Sequence, residues 1–181
     1  MDRQINIYSD DKIRIFKLKQ SLTKIYISGI DNMYFNKKIR FVLSYLCGGS
    51  IYYMVNGDDK DIMGYCMVSK GKSFHYRYAE TDSITVGPIY LKSSYRGKRL
   101  SVFLLETILE HYKEQGCSKA YAYIHKINKQ SNALFSRVGF VPINNLKIAR
   151  WTRQVSITAK PDTDYRLYRR ELWYAELKKD D

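Results

Sequence analysis

Residues 84–101 read ITVGPIYLKSSYRGKRLS and combine a strand, a basic turn and the start of a helix. The strand contains Gly87-Pro88, and because proline cannot donate a hydrogen bond to a neighbouring strand, this pair predicts a sheet edge or a bulge. The turn carries Arg96, Gly97 and Lys98 directly before the helix. Helix starts bind anions through free backbone N–H groups and the positive end of the helix dipole. The stretch therefore predicts an anion site, with an ordinary surface turn as the alternative.

A helix, a strand and a second helix follow this turn. Residues 99–115 repeat apolar side chains at helical spacing, and Gly116 follows where a helix commonly ends. Residues 119–125 alternate small or apolar with aromatic side chains, which is typical of a strand, and residues 128–138 have the pattern of a short helix. A strand–helix–strand order predicts that the two strands are parallel and joined by a right-handed crossover.

The rest of the chain is dominated by strand patterns. Residues 50–55 and 62–68 flank Asn56-Gly57, a strong short signal of a hairpin, and residues 20–47 show loose helical spacing. We therefore predict an α/β (strictly α+β) fold with a mixed, mostly antiparallel sheet of about seven strands and helices on both faces. One domain is predicted over residues 1–181. Further strands are predicted at residues 12–19, 147–158 and 165–177, the last two as a C-terminal pair.

The composition restricts the class of partner. The chain has 181 residues, 31 Lys and Arg against 18 Asp and Glu, and a formal net charge of +13. Such a basic surface attracts the phosphates of a nucleic acid, a nucleotide cofactor or an anionic substrate, although a merely solvated basic surface has the same composition. No apolar run is as long as a transmembrane helix and the first residues lack a secretory signal, so we expect a cytoplasmic protein that does not enter a membrane. Cys47, Cys66 and Cys117 lack metal-type spacing, and we expect neither a disulfide nor a bound metal.

Two segments carry a family resemblance. Residues 86–101 resemble the acetyl-CoA-binding motif of the GNAT (Gcn5-related) N-acyltransferases, which reads Arg/Gln-x-x-Gly-x-Gly/Ala. Residues 128–140, NKQSNALFSRVGF, resemble the second motif of that family, often Asn-x-x-Ser/Ala-x-x-x-Tyr followed by Gly-Phe or Gly-Tyr. The two segments occur in the expected order, separated by one helix and one strand. The resemblance covers a motif core of residues 84–143 and implies a GNAT-like fold.

The resemblance implies where acetyl-CoA binds. In this family the bulged strand splays from the next strand, and the pantetheine arm enters the gap, where backbone at Ile89 and Leu91 would hold it and polarise the acetyl carbonyl. Asn128 and Ser131 would lie beside the pantetheine arm. The diphosphate would bind at the turn and helix start formed by Arg96, Gly97, Lys98, Arg99, Leu100 and Ser101.

Three residues depart from the motifs of the family. Arg99 replaces the first motif glycine and puts a side chain where the backbone must approach a phosphate, while Ser101 replaces the second small residue. Phe135, which the resemblance also places at the cofactor, stands where the family often has a tyrosine that protonates the leaving thiolate. That role is then vacant, or it belongs to water or to another residue.

The resemblance implies an acyl-CoA-dependent N-acyltransferase that moves the acetyl group of acetyl-CoA to a primary amine by direct attack in a ternary complex. A base must take a proton from the attacking amine. His125 at a strand end and Glu80 ahead of the bulged strand are the two candidates, and His75 is a weaker one. The acceptor is an amine-bearing molecule, and the positive charge suits an anionic one. We expect a monomer or a homodimer.

Two other functions fit the same residues. The chain has 17 tyrosines, many of them in predicted strands near arginines, and such residues stack on bases and bind phosphates in proteins that recognise nucleic acids such as tRNA. Tyrosine is also a common half-buried strand residue, which is the structural alternative. Because Phe135 and Arg99 depart from the motifs, the same fold and coenzyme A site are also compatible with a catalytically weak protein.

Overall fold

The computed structural model describes residues 4–20, 41–42, 44–46, 48–57, 61–73, 75–149 and 154–172. Within these ranges its two bounded α-helices are α1 (Leu100–Glu114) and α2 (Lys129–Arg137), and residues 41–42 and 44–46 are also helical. Its strands are, in chain order, β1 (Gln4–Ser9), β2 (Ile13–Lys19), β3 (Ser50–Asn56), β4 (Ile62–Lys70), β5 (Ser83–Leu91), β6 (Lys119–His125), β7 (Val141–Ile148), β8 (Val155–Thr158) and β9 (Tyr165–Glu171).

The nine strands of the described chain form one sheet in the order β1-β2-β3-β4-β5-β6-β9-β7-β8. Neighbouring strands are antiparallel except β5 and β6, which are parallel and connected through α1. The predicted mixed, mostly antiparallel sheet, the parallel crossover and the hairpin between β3 and β4 are therefore confirmed.

The sheet has more strands than predicted, and its C-terminal part is arranged differently. β1 is an edge strand of mostly exposed residues, so it lacks the alternation that marks a half-buried strand. The prediction of one strand over residues 147–158 is wrong, because β7 ends at Ile148 and β8 returns antiparallel from Val155. The N–H of Ala149 closes the connection by donating to the carbonyl of Gln154 at 2.9 Å. β9 then lies between β6 and β7 instead of pairing with β8.

Two predicted elements lie partly outside the described residues. Of the helical segment predicted at 20–47, residues 41–42 and 44–46 are described as helix and residues 21–40 are not described. The last predicted strand extends to residue 177, whereas β9 ends at Glu171 and the description of the chain ends at residue 172.

Helices cover both faces of the sheet, as predicted. Leu104, Leu105 and Ile108 of α1 are fully buried in one cluster with residues of β4 and β6. Phe41, from the helical residues before β3, lies on the opposite face, where its ring centroid is 5.4 Å from that of Tyr65. Within the described ranges, no helix is long and apolar enough to span a lipid bilayer.

The alternation of β6 divides its side chains between two cores. Ala120, Ala122 and Ile124 pack with α1 and α2, while Tyr121 and Tyr123 pack on the other face, against the segment that precedes β5. A strand with two buried faces lies in the interior of a sheet, which is where β6 is found.

The centre of the sheet is split. β5 and β6 pair over three residues only, 83–85 in β5, and then diverge although β5 continues to Leu91 and β6 to His125, both strands being described throughout. The divergence starts at Gly87-Pro88, where two residues of β5 stand against one of β4. The bulge and the splayed strands are confirmed. The edge-strand alternative is wrong, because β5 lies in the middle of the sheet.

Candidate functional site

A cavity of about 300 Å³ fills the gap between the diverging ends of β5 and β6. Five of the predicted site residues line it together, namely Ile89, His125, Asn128, Ser131 and Phe135, and the weaker candidate base His75 lines it as well. The split in the sheet therefore brings residues from two strands and the following helix into one space.

The far wall of the cavity comes from the C-terminal part of the sheet. Ile148, Val155 and Tyr165 line it, and Tyr165 opposes His125 in the pairing of β9 with β6, with ring centroids 4.8 Å apart. Sequence reasoning missed these three residues because pairings between distant parts of the chain bring them to the cavity. For Tyr165 the sequence does contain a local signal that could have found it, an aromatic residue at the first position of a strand.

Asn128 caps α2 at the rim of the cavity. Its Oδ1 accepts the backbone N–H of Ser131 at 3.1 Å, and its own backbone N–H donates to the carbonyl of His125 at 2.9 Å. An asparagine cap of this kind stabilises a helix start. Here these two hydrogen bonds also join the end of β6 to the start of α2, which places His125, Asn128 and Ser131 next to one another.

Phe135 gives the cavity an apolar surface. It is 3% exposed and packs edge-to-face on Phe140, with ring centroids 5.0 Å apart. A phenyl ring has no proton to donate, so a proton for a leaving group must come from another side chain or from water.

Two imidazoles line the same cavity. The Nδ1 atom of His125 accepts the backbone N–H of Ile127 at 3.3 Å, an assignment that places the proton of a neutral ring on Nε2. His75 is buried and packs edge-to-face on Tyr76, with ring centroids 4.6 Å apart. An imidazole ring has one nitrogen that can donate and one that can accept a proton, so the cavity contains groups with the chemistry for proton transfer.

Glu80 lies away from these residues. Its carboxylate accepts from Nζ of Lys119 at 2.6 Å and from the hydroxyl of Tyr121 at 3.1 Å, at the start of β6, whereas the cavity lies at the end of that strand. The hydrogen bond from Lys119 is the main reason that the pKa of Glu80 is below its ordinary value. The structure therefore does not bring Glu80 together with His125.

The basic turn begins where β5 ends. The carboxylate of Asp61 holds it by accepting from Nζ of Lys92 at 2.5 Å and from the hydroxyl of Tyr95 at 2.7 Å. Nε of Arg96 donates to the carbonyl of Leu91 at 3.2 Å, so Leu91 supports the turn. Leu91 is not among the residues that line the cavity.

The turn has the backbone and the charge of an anion site. Gly97 and Arg99 both adopt left-handed conformations, with φ of 81° and 58°. Arg96, Lys98 and Arg99 are exposed, and no ion pair of theirs occurs within the described chain. α1 then starts at Leu100 and Ser101, where backbone N–H groups have no partner inside the helix.

Cys66 lies beneath the bulge and is fully buried. Burial raises the pKa of its thiol to about 12, so the thiol stays protonated at neutral pH. In the described ranges no group of three or more His, Cys, Asp and Glu side chains could hold a metal ion.

Most of the strand tyrosines belong to the core. Tyr52, Tyr53, Tyr65, Tyr76, Tyr121 and Tyr168 are between 0% and 7% exposed. Nε of Arg169 pairs with Glu171 at 2.9 Å, and Nη1 of Arg170 donates to the carbonyl of Val138 at 2.8 Å. Side chains that suggested base stacking are thus used within the fold, which favours the structural alternative for them.

Comparison with known proteins agrees with this geometry. The sequence model described as the acetyltransferase (GNAT) family matches residues 23–140, more than half of the chain. The chain belongs to the GNAT family. No curated protein sequence matches it significantly.

Solved structures of low identity share the GNAT fold. RimL, a ribosomal L7/L12 alpha-N-protein acetyltransferase, superposes with a TM-score of 0.61 at 13% identity, over 93% of this chain and 94% of its own. A putative acetyltransferase from Salmonella typhimurium with its cofactor acetyl-CoA gives 0.55 at 15% identity, over 92% and 99%. Nourseothricin acetyltransferase gives 0.51 at 18% identity, over 69% of this chain and 66% of its own, so the chain spans about two thirds of that protein.

Proposed function

We propose that this GNAT protein is an N-acetyltransferase that moves the acetyl group of acetyl-CoA to a primary amine. The observation that carries the proposal is the gap between β5 and β6, which opens at a bulge and holds a cavity of about 300 Å³, with a basic helix start following β5. A gap of this kind fits an extended arm, and the helix start fits the diphosphate at its end. A structure of the same fold with acetyl-CoA supports this fit.

The residues of the gap have distinct binding roles in this proposal. The part of β5 that pairs with β4 but not with β6, at Ile89 and Leu91, offers backbone groups on its β6 side to the pantetheine arm and polarises the acetyl carbonyl. Asn128 and Ser131 flank the arm at the rim, and Phe135 supplies an apolar contact. The diphosphate binds at the exposed side chains of Arg96, Lys98 and Arg99 and at the backbone N–H groups of residues 97–101.

The proposed reaction is a direct transfer in which the neutral amine attacks the thioester carbonyl, the C–N bond forms and the C–S bond breaks. The chain contributes mainly by orienting the two reactants and by polarising the carbonyl.

We assign proton transfer to His125. Its imidazole takes the proton that the amine loses and gives one to the thiolate, in place of the tyrosine that Phe135 replaces. To accept the proton of the amine at Nε2, the neutral ring must carry its own proton on Nδ1. This tautomer loses the 3.3 Å hydrogen bond that Nδ1 accepts from the N–H of Ile127. One proton then passes from the amine to the thiol through a single side chain.

Calorimetry with acetyl-CoA is the direct test. We expect saturable binding, and we expect Lys98→Glu to raise the Kd at least about tenfold, or about 1.4 kcal/mol. Lys12→Glu makes the same charge change at an exposed residue of the β1–β2 turn and should leave the Kd within about twofold. Absence of binding at near-millimolar acetyl-CoA, or equal effects of the two variants, would refute the proposed cofactor site.

The acceptor is tested by thiol release from acetyl-CoA with a panel of amines. Because the chain carries a net charge of +13, we propose that amines with a negative group nearby are preferred. Matched neutral and anionic amines should then differ in KM at low salt and converge at high salt. Thiol release with none of the panel, in a protein that binds acetyl-CoA, would favour the catalytically weak alternative.

A further inference from the structure

A half-buried lysine lies at the other end of α1, away from the proposed acetyl-CoA site. Nζ of Lys17, in β2, is 3.3 Å from Nε2 of His111 in the last turns of α1. The same ammonium lies over the rings of Tyr52 and Tyr112, at 5.7 Å and 5.1 Å from their centroids. Two aromatic rings and an imidazole therefore surround it.

Burial and neighbouring lysines favour a neutral amine at Lys17, and they act against the two tyrosine faces, which favour its ammonium form. Burial lowers the pKa of Lys17, and Lys70 and Lys19 lower it further. The same alternation that directs Lys17 to α1 places exposed Lys19 on its side of β2, and Lys70 extends from the equivalent face of β4. Amines that are desolvated and close to other cations are the typical nucleophilic lysines.

His111 is suited to accept a proton from this amine. Burial lowers the pKa of His111, and Lys17 lowers it further while Glu114 opposes the shift. The ring is therefore neutral at neutral pH, with Nε2 as acceptor for Lys17. The side-chain amide nitrogen of Gln115 lies 2.6 Å from the same Nε2 and competes with Lys17 for its one lone pair, so the amide must turn away when the ring takes a proton from Lys17.

We propose that Lys17 is a self-acylation site, whose amine takes an acyl group from small activated donors that carry a phosphate, such as acetyl phosphate or acetyl-CoA. His111 is the adjacent proton acceptor, and Lys19 and Lys70 attract the phosphate of the donor. This modification does not require the cavity between β5 and β6 and is independent of the proposed transferase reaction.

The step balances as an ordinary acyl transfer. The ammonium of Lys17 first loses a proton to solvent by way of His111. The neutral nitrogen then attacks the carbonyl carbon, the N–C bond forms, and the bond from that carbon to phosphate oxygen or to sulfur breaks. The leaving group takes the electron pair, and the second proton of the nitrogen passes through His111 to the leaving group or to water. No oxidant or reductant takes part.

Site-resolved mass spectrometry with isotopically labelled acetyl phosphate tests the proposal on the full chain. Lys19 is the internal control, because it lies two residues away on the same face, is exposed, and shows no imidazole contact within the described chain. We expect Lys17 to be labelled at least about fivefold faster than Lys19. His111→Gln should reduce the Lys17 rate to that of Lys19, with circular dichroism to verify the fold.

Two further arms identify the source of the effect. The exposed double variant Lys19→Ser/Lys70→Ser should slow labelling of Lys17 by acetyl phosphate more than labelling by a phosphate-free acetylating ester. Lys98→Glu should lose acetyl-CoA affinity but keep the rate with acetyl phosphate. Equal rates at Lys17 and Lys19, an unchanged rate in folded His111→Gln, or a loss of labelling in Lys98→Glu would each overturn the proposal. The last outcome would assign the labelling to the transferase site instead.

Discussion

Arg99 departs from the glycine of the family motif but has a backbone conformation that is typical of glycine. Its backbone adopts φ of 58° and ψ of 13°, a left-handed conformation that glycine adopts easily. Position 99 therefore has a backbone conformation that suits the glycine of the motif, although it carries an arginine side chain. The side chain of Arg99 is exposed, so its guanidinium adds positive charge to the turn.

This geometry predicts the effect of two substitutions on stability. Arg99→Gly removes a left-handed penalty of about 1–2 kcal/mol and adds unfolded-state entropy of similar size, so the free energy of unfolding should stay within about 1 kcal/mol. Arg99→Val puts a β-branched residue into the same conformation and should be less stable than Arg99→Gly by at least about 1 kcal/mol. Urea unfolding of both variants measures the difference. Equal stabilities would show that position 99 tolerates another conformation.

His125 and Glu80 make different predictions for turnover. Since His125 lines the cavity and Glu80 is bound to Lys119 and Tyr121, His125→Gln should lower kcat by about 10²-fold or more with little change in the Kd for acetyl-CoA. Glu80→Gln should keep kcat within about threefold. Thiol-release kinetics on the responsive amine provide both values. A larger loss in Glu80→Gln than in His125→Gln would reverse the assignment of proton transfer.

His111 predicts a pH dependence of stability. Because burial lowers the pKa of His111 in the folded protein, the unfolded chain binds more protons, and stability should fall as pH drops below about 6.5. His111→Gln removes this contribution, so its urea midpoint should fall less between pH 7.5 and pH 5.0 than that of the unsubstituted protein. The depressed carboxylate pKa values act at lower pH and are common to both proteins. Parallel losses in the two proteins would contradict this role of burial.

At the scale of elements, the split between β5 and β6 makes a prediction for hydrogen exchange. Residues 83–85 of β5 are already paired with β6, whereas residues 87–91 are free on that side. Bound acetyl-CoA should slow amide exchange in residues 87–91 and around the start of α2, and it should leave residues 83–85 unchanged. Uniform protection of the whole strand would indicate a general tightening of the fold rather than occupation of the gap.

Elements with a strong local pattern could be predicted from the sequence. α1 has an apolar stripe ended by Gly116, β6 alternates between two cores, and Gly87-Pro88 marks the bulge. β1 escaped prediction because an exposed edge strand has no alternation to detect. The break between β7 and β8 escaped because residues 149–154 contain neither glycine nor proline.

The candidate site could be predicted only where it is local in sequence. Ile89, Asn128, Ser131 and Phe135 follow from two short motifs, and the structure gathers them with His125. The wall formed by β7, β8 and β9 depends on which strands pair, and the alternation of a single strand does not specify its partners. The distance of Glu80 from the cavity was not predictable for the same reason. Glu80 lies at the start of β6 because β5 and β6 pair there, next to Lys119.

At the scale of the whole molecule, ligand binding should stabilise the entire sheet. Acetyl-CoA at about 100 times its Kd adds about 2.7 kcal/mol to the free energy of unfolding, which corresponds to a rise in Tm of about 5–10 °C for a chain of this size. Thermal unfolding with and without acetyl-CoA measures this rise. Lys98→Glu should remove at least about half of the rise at the same ligand concentration, because a tenfold higher Kd leaves about 1.4 kcal/mol of stabilisation, and Lys12→Glu should retain it. A rise that both variants keep would indicate binding elsewhere.

The short junction between β5 and β6 also affects how the chain can fold during synthesis. The strands on one side of it, β1 to β5, are all encoded before the first residue of β6, and they pair in sequence order. We expect this five-stranded meander to assemble on the ribosome, because its contacts link neighbouring strands along the chain. The later strands then join it across three residue pairs of sheet and the buried face of α1. Completion of the protein thus depends on a late docking step at the same place where the cavity forms.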